Sequence, residues 1–242
     1  MVNKTEYEWA LSKIKDFSLE INVIAEIGSR DGLDAISLGK IFQSNINYIF
    51  EADPTLIQLI NKNIKNNDYE SNFEIFNVAL GNHNKVVEFL AVDTKKYDNL
   101  GVGSLFEINF KNRHPSDPDY NRETVQEVVK IDMKKYVDLN LKSPDLIAMD
   151  VQGGELEVLK GFEHQLSEVK FIILESSISE NYIGGSKFSD VHNFLKENFK
   201  LLSNSRYRNN NLKLFFDNYK YQILFKNKYQ PDFNLLYVNK EL

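Results

Sequence analysis

Two kinds of apolar pattern alternate along the chain. Dense runs of Val, Ile, Leu, Phe and Tyr at 23–27, 48–51, 73–78, 145–150 and 170–175 read as buried strands. Between them apolar positions recur at helical spacing over 33–42, 55–66 and 155–166. Ahead of the first strand, Tyr7, Ala10, Leu11, Ile14 and Phe17 mark one face of an amphipathic helix within 5–18. This alternation predicts the α/β class, a mostly parallel sheet with helices on both faces. Runs at 86–92 and 124–132 interrupt it as extra strands. Past a helix at 189–199 the tail changes character. Short β-like runs at 200–202, 212–216, 221–225 and 235–238 are separated by little more than turns, and predict antiparallel edge strands. Neither a repeat nor a linker divides the chain, so 1–242 reads as one domain. Only 97–121 lacks periodicity, and it holds Gly101, Gly103, Pro115 and Pro118. A loop of that length reads as a lid or substrate loop, with Leu105, Phe106, Ile108 and Phe110 as its apolar anchors.

Composition narrows the function classes. At 242 residues, 42% hydrophobic and 26% charged, the chain can build one substantial core. A net charge of -6 without a basic block argues against nucleic acid, whose affinity rests on phosphate neutralisation. Cysteine is absent, which removes disulfides and thiolate metal sites. The N-terminus lacks an apolar leader, and no apolar run approaches membrane-spanning length, so the expectation is a cytoplasmic protein without a membrane partner. The N-terminal helix and the β tail each offer a surface for a homodimer.

The chemistry begins at Val23-Ile24-Ala25-Glu26-Ile27-Gly28-Ser29-Arg30-Asp31-Gly32. A strand ends in an acidic side chain and a glycine turn, then enters a helix, which places backbone N–H groups and a helix N-terminus beside a ligand. Glu51 ends the next strand. Two carboxylates at the carboxyl ends of neighbouring parallel strands suit a ribose-bearing cofactor. Arg30 stands where the dinucleotide fingerprint needs its second glycine, which disfavours NAD and FAD. The G-x-x-x-G spacing resembles the glycine motif of class I S-adenosylmethionine-dependent methyltransferases.

The resemblance sharpens downstream, at Asp145-Leu146-Ile147-Ala148-Met149-Asp150-Val151-Gln152-Gly153-Gly154-Glu155-Leu156-Glu157-Val158-Leu159-Lys160-Gly161. With Phe50-Glu51-Ala52-Asp53-Pro54, Leu59, Asn63, Val78-Ala79-Leu80-Gly81, Gly103-Ser104-Leu105 and Ile172-Ile173-Leu174-Glu175, it resembles the FkbM family of methyltransferases over roughly 23–175. That family's pattern reads K-I-D-V-E-G-x-E-x-x-V-L-x-G. Here Ala148 and Met149 replace its first two residues and Gln152 replaces its glutamate. The resemblance implies a Rossmann-like seven-stranded sheet with an antiparallel final strand. It also implies methyl transfer from S-adenosylmethionine to a hydroxyl, often on a sugar.

On that resemblance Glu26, Gly28, Ser29, Arg30, Gly32, Glu51, Ala52, Ala79, Leu80, Asp150 and Gln152 are candidate cofactor contacts. Glu51 would hold both ribose hydroxyls. Asp31 reads equally as a helix cap, and Ala79 and Leu80 nearly as well as core residues. A hydroxyl must lose a proton as it is methylated, so a base is needed. Candidates are Asp150, Glu175 and His114, with Asp150 also open to cofactor or substrate positioning, or to capping the next helix. Ser104, Arg113 and Glu155 are candidate substrate contacts; Glu155 also complements a helix dipole. Arg113, Arg122, Arg206 and Arg208 suit the diphosphate of a nucleotide-linked sugar, or simply a solvated surface. Ligand spacing for zinc is missing, and a magnesium ion on Asp150 and Glu175 stays open. The leading expectation is a sugar O-methyltransferase, for example in capsule or other surface-polysaccharide biosynthesis. The alternative is a non-catalytic cofactor-binding or interaction module, for which the loss of the carboxylate at Gln152 speaks.

Overall fold

The computed structural model describes residues 7–92, 100–110, 126–207, 210–224 and 229–242. The expected alternation is present as α1 (Glu8–Lys15), β1 (Val23–Ile27), α2 (Leu33–Phe42), β2 (Ile46–Phe50), α3 (Ile57–Asn66) and β3 (Asn72–Phe76). A second run comprises β4 (Ala79–Leu80), β5 (Lys85–Val92), β6 (Gln126–Lys134), β7 (Leu146–Met149), α4 (Glu155–Gly161) and β8 (Phe171–Ser176). The chain closes with α5 (Phe188–Leu195), β9 (Phe199–Asn204), α6 (Asn211–Leu224) and β10 (Phe233–Asn239).

Seven strands form the central sheet in the order β3-β2-β1-β7-β8-β10-β9, and β4, β6 and β5 form a small second sheet beside it. β1 is parallel to β2 and β7, and β7 to β8, while β10 runs antiparallel to β8 and β9. The strands of the parallel centre are largely apolar because both faces are covered, with Glu26 and Glu175 towards their carboxyl ends. Ala25, Ile147 and Ile172 pack with Val158 of α4, Val191 of α5 and Leu214 of α6. Ile24, Ala148 and Ile173 pack on the other face with Ala10, Leu11 and Ile14 of α1 and Leu38 of α2. No helix among the described residues is long and apolar enough to cross a membrane.

The tail departs from the expectation of four strands. The runs at 212–216 and 221–224 belong to one helix, α6. Short apolar runs do not distinguish the two states; here neither Gly nor Pro breaks the stretch, and the buried Leu214 and Tyr221 stand two helical turns apart. The strand at 235–238 is no edge strand either, since β10 inserts between β8 and β9 and leaves β9 at the edge. The helix expected over 155–166 stops at Gly161, and a 3-10 turn, Glu163–Glu168, follows from the left-handed Glu163 (φ 49°). Of the loop at 97–121, residues 100–110 are described and the rest lies outside the described residues.

Register brings the acidic residues together. Glu26 pairs with Ala148, and Met149 with Leu174, so one step further places Asp150 beside Glu175 at the carboxyl ends of β7 and β8.

Candidate active site

The β1–α2 turn is shaped by close backbone contact. Gly28 lies at φ +80°, and a Cβ on it would stand 1.9 Å from the Asp150 carbonyl oxygen. Only a residue without a side chain lets β1 and β7 converge there. Gly28 N–H donates to the Phe50 carbonyl at 2.9 Å, and Asp150 N–H to the Ile27 carbonyl at 3.0 Å. Arg30 and Gly32 are also left-handed, at φ 58° and 77°. Gly32 caps α2, and Asp31 Oδ1 accepts from Leu33 N–H at 3.1 Å, the capping role weighed for it above.

Around this turn a cavity opens at the carboxyl edge of the sheet, where ligands bind in open α/β folds. Glu26, Gly28, Ser29, Arg30, Glu51, Ala52, Ala79, Leu80, Asp150 and Gln152 all line it. Gly32 does not; it acts through the turn. Ser29 Oγ donates to the Glu26 carboxylate, whose pKa burial drives well above the ordinary value. Glu51 is held at both oxygens: Oε2 accepts from Arg30 N–H and Oε1 from Asp53 N–H, each at 2.7 Å. Burial lifts its pKa to about 7. Each oxygen keeps a further lone pair for a ligand hydroxyl.

Sequence reasoning missed several contributors. Tyr7 reaches the cavity from α1, Phe89 from β5, and Gly101, Gly103 and Leu105 from the partly described loop. Asp53 adds a second carboxylate beside Glu51. Its Oδ1 accepts from Thr55 N–H and Oγ1–H, and its Oδ2 is buried with no partner, on a residue that lines the cavity. The signal was present in Asp53-Pro54-Thr55, an aspartate poised to turn the chain, but which oxygen remains free is visible only in three dimensions.

Opposite Glu51, Asp150 and Glu175 form a carboxyl pair hydrogen-bonded to each other. Burial raises both pKa values, and the Asp150 charge raises Glu175 further. Gln152, left-handed at φ 53°, spans them: Nε2 donates to Asp150 Oδ1 and, at 2.9 Å, to Glu175 Oε2. Tyr182 O–H donates to Gln152 Oε1. An amide donor thus occupies the position a cation bridging the pair would take, and this donor set does not fit a divalent metal. Among the described residues no group of three or more acidic or histidine side chains is arranged to hold a metal ion.

The candidate substrate residues divide. Ser104 is buried and donates to the Gln152 carbonyl at 2.8 Å, tying the loop to the β7–α4 turn rather than lining the cavity. Glu155 accepts from Gly153 N–H at 3.1 Å and Ser186 Oγ–H at 3.0 Å, and burial lifts its pKa to about 7. It steadies the turn and lines a smaller notch beyond Gln152. Arg206 is engaged elsewhere, with Gln230 Oε1 at 2.6 Å and the Pro231 carbonyl at 3.1 Å. His114, Arg113, Arg122 and Arg208 lie outside the described residues.

The chain is 29% identical over 170 residues to the 2-O-methyltransferase NoeI of Sinorhizobium fredii, a stretch covering 67% of this chain and 66% of that protein. The crystal structure of the methyltransferase FkbM from Methylobacillus flagellatus superposes at 15% identity and a TM-score of 0.43, over 65% of this chain and 33% of that one. The chain therefore spans a little under two thirds of the first relative and a third of the second. An rRNA methylase from Streptococcus thermophilus, 10% identical, shares the fold over 98% of both chains at a TM-score of 0.50. The methyltransferase FkbM domain matches residues 26–202, most of the chain and all of the cavity's parallel-strand ends, and this protein belongs to that family.

Proposed function

We infer that the protein is an S-adenosylmethionine-dependent O-methyltransferase that modifies a sugar hydroxyl. The observation that carries this reading is the presence, in one cavity, of a pre-oriented ribose acceptor, Glu51, and of the buried carboxyl of Asp150, which Gln152 ties to Glu175 behind it. Glu51 supplies two fixed carboxylate oxygens for the ribose hydroxyls, and the free Oδ2 of Asp53 supplies a third acceptor. The apolar Ala52, Ala79 and Leu80 offer a surface for the adenine ring. Gly28 lets β1 and β7 converge at the cavity wall, which brings Asp150 to it. When bound, S-adenosylmethionine supplies an electrophilic methyl group.

The residues of this chain then have two tasks. One is alignment, which converts a bimolecular displacement into a positioned one. The other is removal of the hydroxyl proton as oxygen attacks. Asp150 on the cavity wall, with its pKa raised by burial, is the group placed to accept that proton, and Glu175 beside it shares the load. Gln152 fixes both carboxyl groups without competing for the proton. A sugar acceptor is supported by the 2-O-methyltransferase relative, and by the polar wall on the acceptor side of Gln152.

The test has two steps. Calorimetry with S-adenosylmethionine and S-adenosylhomocysteine should give saturable binding that Glu51→Ala abolishes. Radiolabelled cofactor with a panel of glycosides should then give methylated product, reduced at least about a hundredfold by Asp150→Asn. Binding without turnover on any glycoside would favour a cofactor-binding module over an enzyme. No binding would refute both.

A further inference from the structure

On the far side of Gln152 lies a second, much smaller notch, with room for about one water-sized group, bounded by the β7–α4 turn, the end of β8 and the chain around 181–186. Gln152 is common to both cavities, so the notch adjoins the carboxyl pair from the side away from Glu51. Its wall is of one chemical kind. Glu155, Glu175 and Asp232 bring carboxyl groups to it, Ser176 brings a hydroxyl, and no lysine, arginine or histidine lines it among the described residues.

Ser176 is the telling member. It is 6% exposed, and its Oγ is buried without a hydrogen-bond partner. A buried hydroxyl left unpaired is unfavourable, and it has both a proton to give and lone pairs to fill. Its neighbours are largely committed: Asp232 Oδ1 accepts from Asn181 Nδ2 at 2.7 Å, and Glu155 accepts from Gly153 and Ser186. What would satisfy this wall is a group that donates to a carboxylate and also exchanges a hydrogen bond with Ser176. A hydroxyl does both. A phosphate or carboxylate only accepts, and its charge is repelled by the acidic wall.

We propose that this notch is an acceptor subsite that receives a sugar hydroxyl next to the one being methylated, and that it selects an uncharged ring over a ring bearing carboxylate or phosphate. The subsite rests on the methyltransferase reading above and deepens it. The ring and any diphosphate of a nucleotide-linked sugar lie outside the notch, and only one hydroxyl of a neutral ring enters.

The experiment uses the whole chain, labelled S-adenosylmethionine, and matched acceptors: neutral methyl hexosides and methyl 6-deoxyhexosides, the corresponding methyl hexuronides, and methyl hexoside 6-phosphates. Neutral members should exceed their charged counterparts at least about tenfold in kcat/KM. Asp232→Asn should narrow that ratio severalfold. Ser176→Ala should raise KM for the neutral acceptor severalfold, with kcat and the calorimetric Kd for the cofactor unchanged and the melting temperature unchanged or higher, a split that a merely structural serine would not give. Preference for the charged acceptors, or unchanged KM and ratio in both variants, would overturn the subsite while leaving the methyltransferase reading intact. Cofactor binding with turnover of none of these acceptors would overturn it as well. Wild-type protein that fails to bind the cofactor would overturn the broader reading, and the subsite with it.

Discussion

Glu51→Gln separates two things the native carboxylate does at once. Glu51 is 6% exposed, accepts a backbone N–H at each oxygen, and has its pKa lifted from 4.5 to about 7, chiefly by burial. A carboxyl group whose folded pKa is raised binds its proton more tightly in the native state. Its contribution to stability is therefore full below pH 4.5 and is lost as pH rises through about 7. The gap between those values, at about 1.4 kcal/mol per pH unit, makes the full loss about 3 kcal/mol, of which about 2.5 falls between pH 5 and 8. The amide in Glu51→Gln has no proton to lose and escapes this term. Against that, its NH₂ group confronts one of the two backbone N–H donors, at a cost of about 1.5–3 kcal/mol at every pH.

The variant should accordingly be the less stable protein at pH 5 and about as stable as wild type at pH 8. Urea denaturation of both proteins at the two pH values reads the difference directly, because the other buried carboxyls, Glu26, Glu155 and Glu175, titrate in both and cancel. At pH 8 the same substitution removes at least one charge-assisted bond to the ribose, so the Kd for S-adenosylmethionine should rise roughly ten- to a hundredfold by calorimetry. A stability difference that stays constant with pH would refute the desolvation argument. An unchanged Kd would take Glu51 out of the cofactor site.

Two further substitutions probe the frame around it. Gly28→Ala puts a methyl group 1.9 Å from the Asp150 carbonyl oxygen on a backbone at φ +80°, and should cost about 3 kcal/mol or more in chemical denaturation; a wild-type midpoint would mean the β1–β7 contact has slack. Gln152→Glu, which restores the family's carboxylate, removes the Nε2 donor shared by Asp150 and Glu175 and adds a third acid. The added group must hold a proton to fit, so its native pKa is raised and the variant should lose stability as pH rises, by about 2–4 kcal/mol at pH 8 relative to wild type. A change that does not grow between pH 6 and 8, measured by urea denaturation, would show that the pair does not need the amide.

The parallel half of the molecule was legible in the sequence because its rules are local. A run of Val, Ile and Phe that stops at an acid marks a strand's carboxyl end, and parallel register then carries every such acid to one edge of the sheet. Glu26, Glu51, Asp150 and Glu175 met in space for that reason. The tail was not legible, since Leu212, Phe215, Phe216 and Tyr219 lie on the exposed side of α6 or at its margin and make an apolar run that tracks no buried face. Nor was the notch. Tyr182 reaches Gln152 across 30 residues, and Ser176 is special only for what it fails to touch. One clue was present in the Gly184-Gly185 pair. A Cβ on Gly185 would stand 3.1 Å from Gly153 Cα, so the two turns that frame the notch meet glycine to glycine.

The geometry also bears on the departure at Gln152, which in the sequence looked like the loss of a catalytic carboxylate. Asp150 and Glu175 are placed side by side by strand register, not by choice of side chain, and burial raises the pKa of each. A third carboxylate between them would need its own proton and could give only one hydrogen bond. The amide gives one to each acid and accepts one from Tyr182, so every polar atom of its side chain is used. Its neutrality adds no charge to a pair that burial already disfavours ionising. On the proposed reading, Gln152 is the residue that orients the base, and the substitution is compatible with a working proton acceptor.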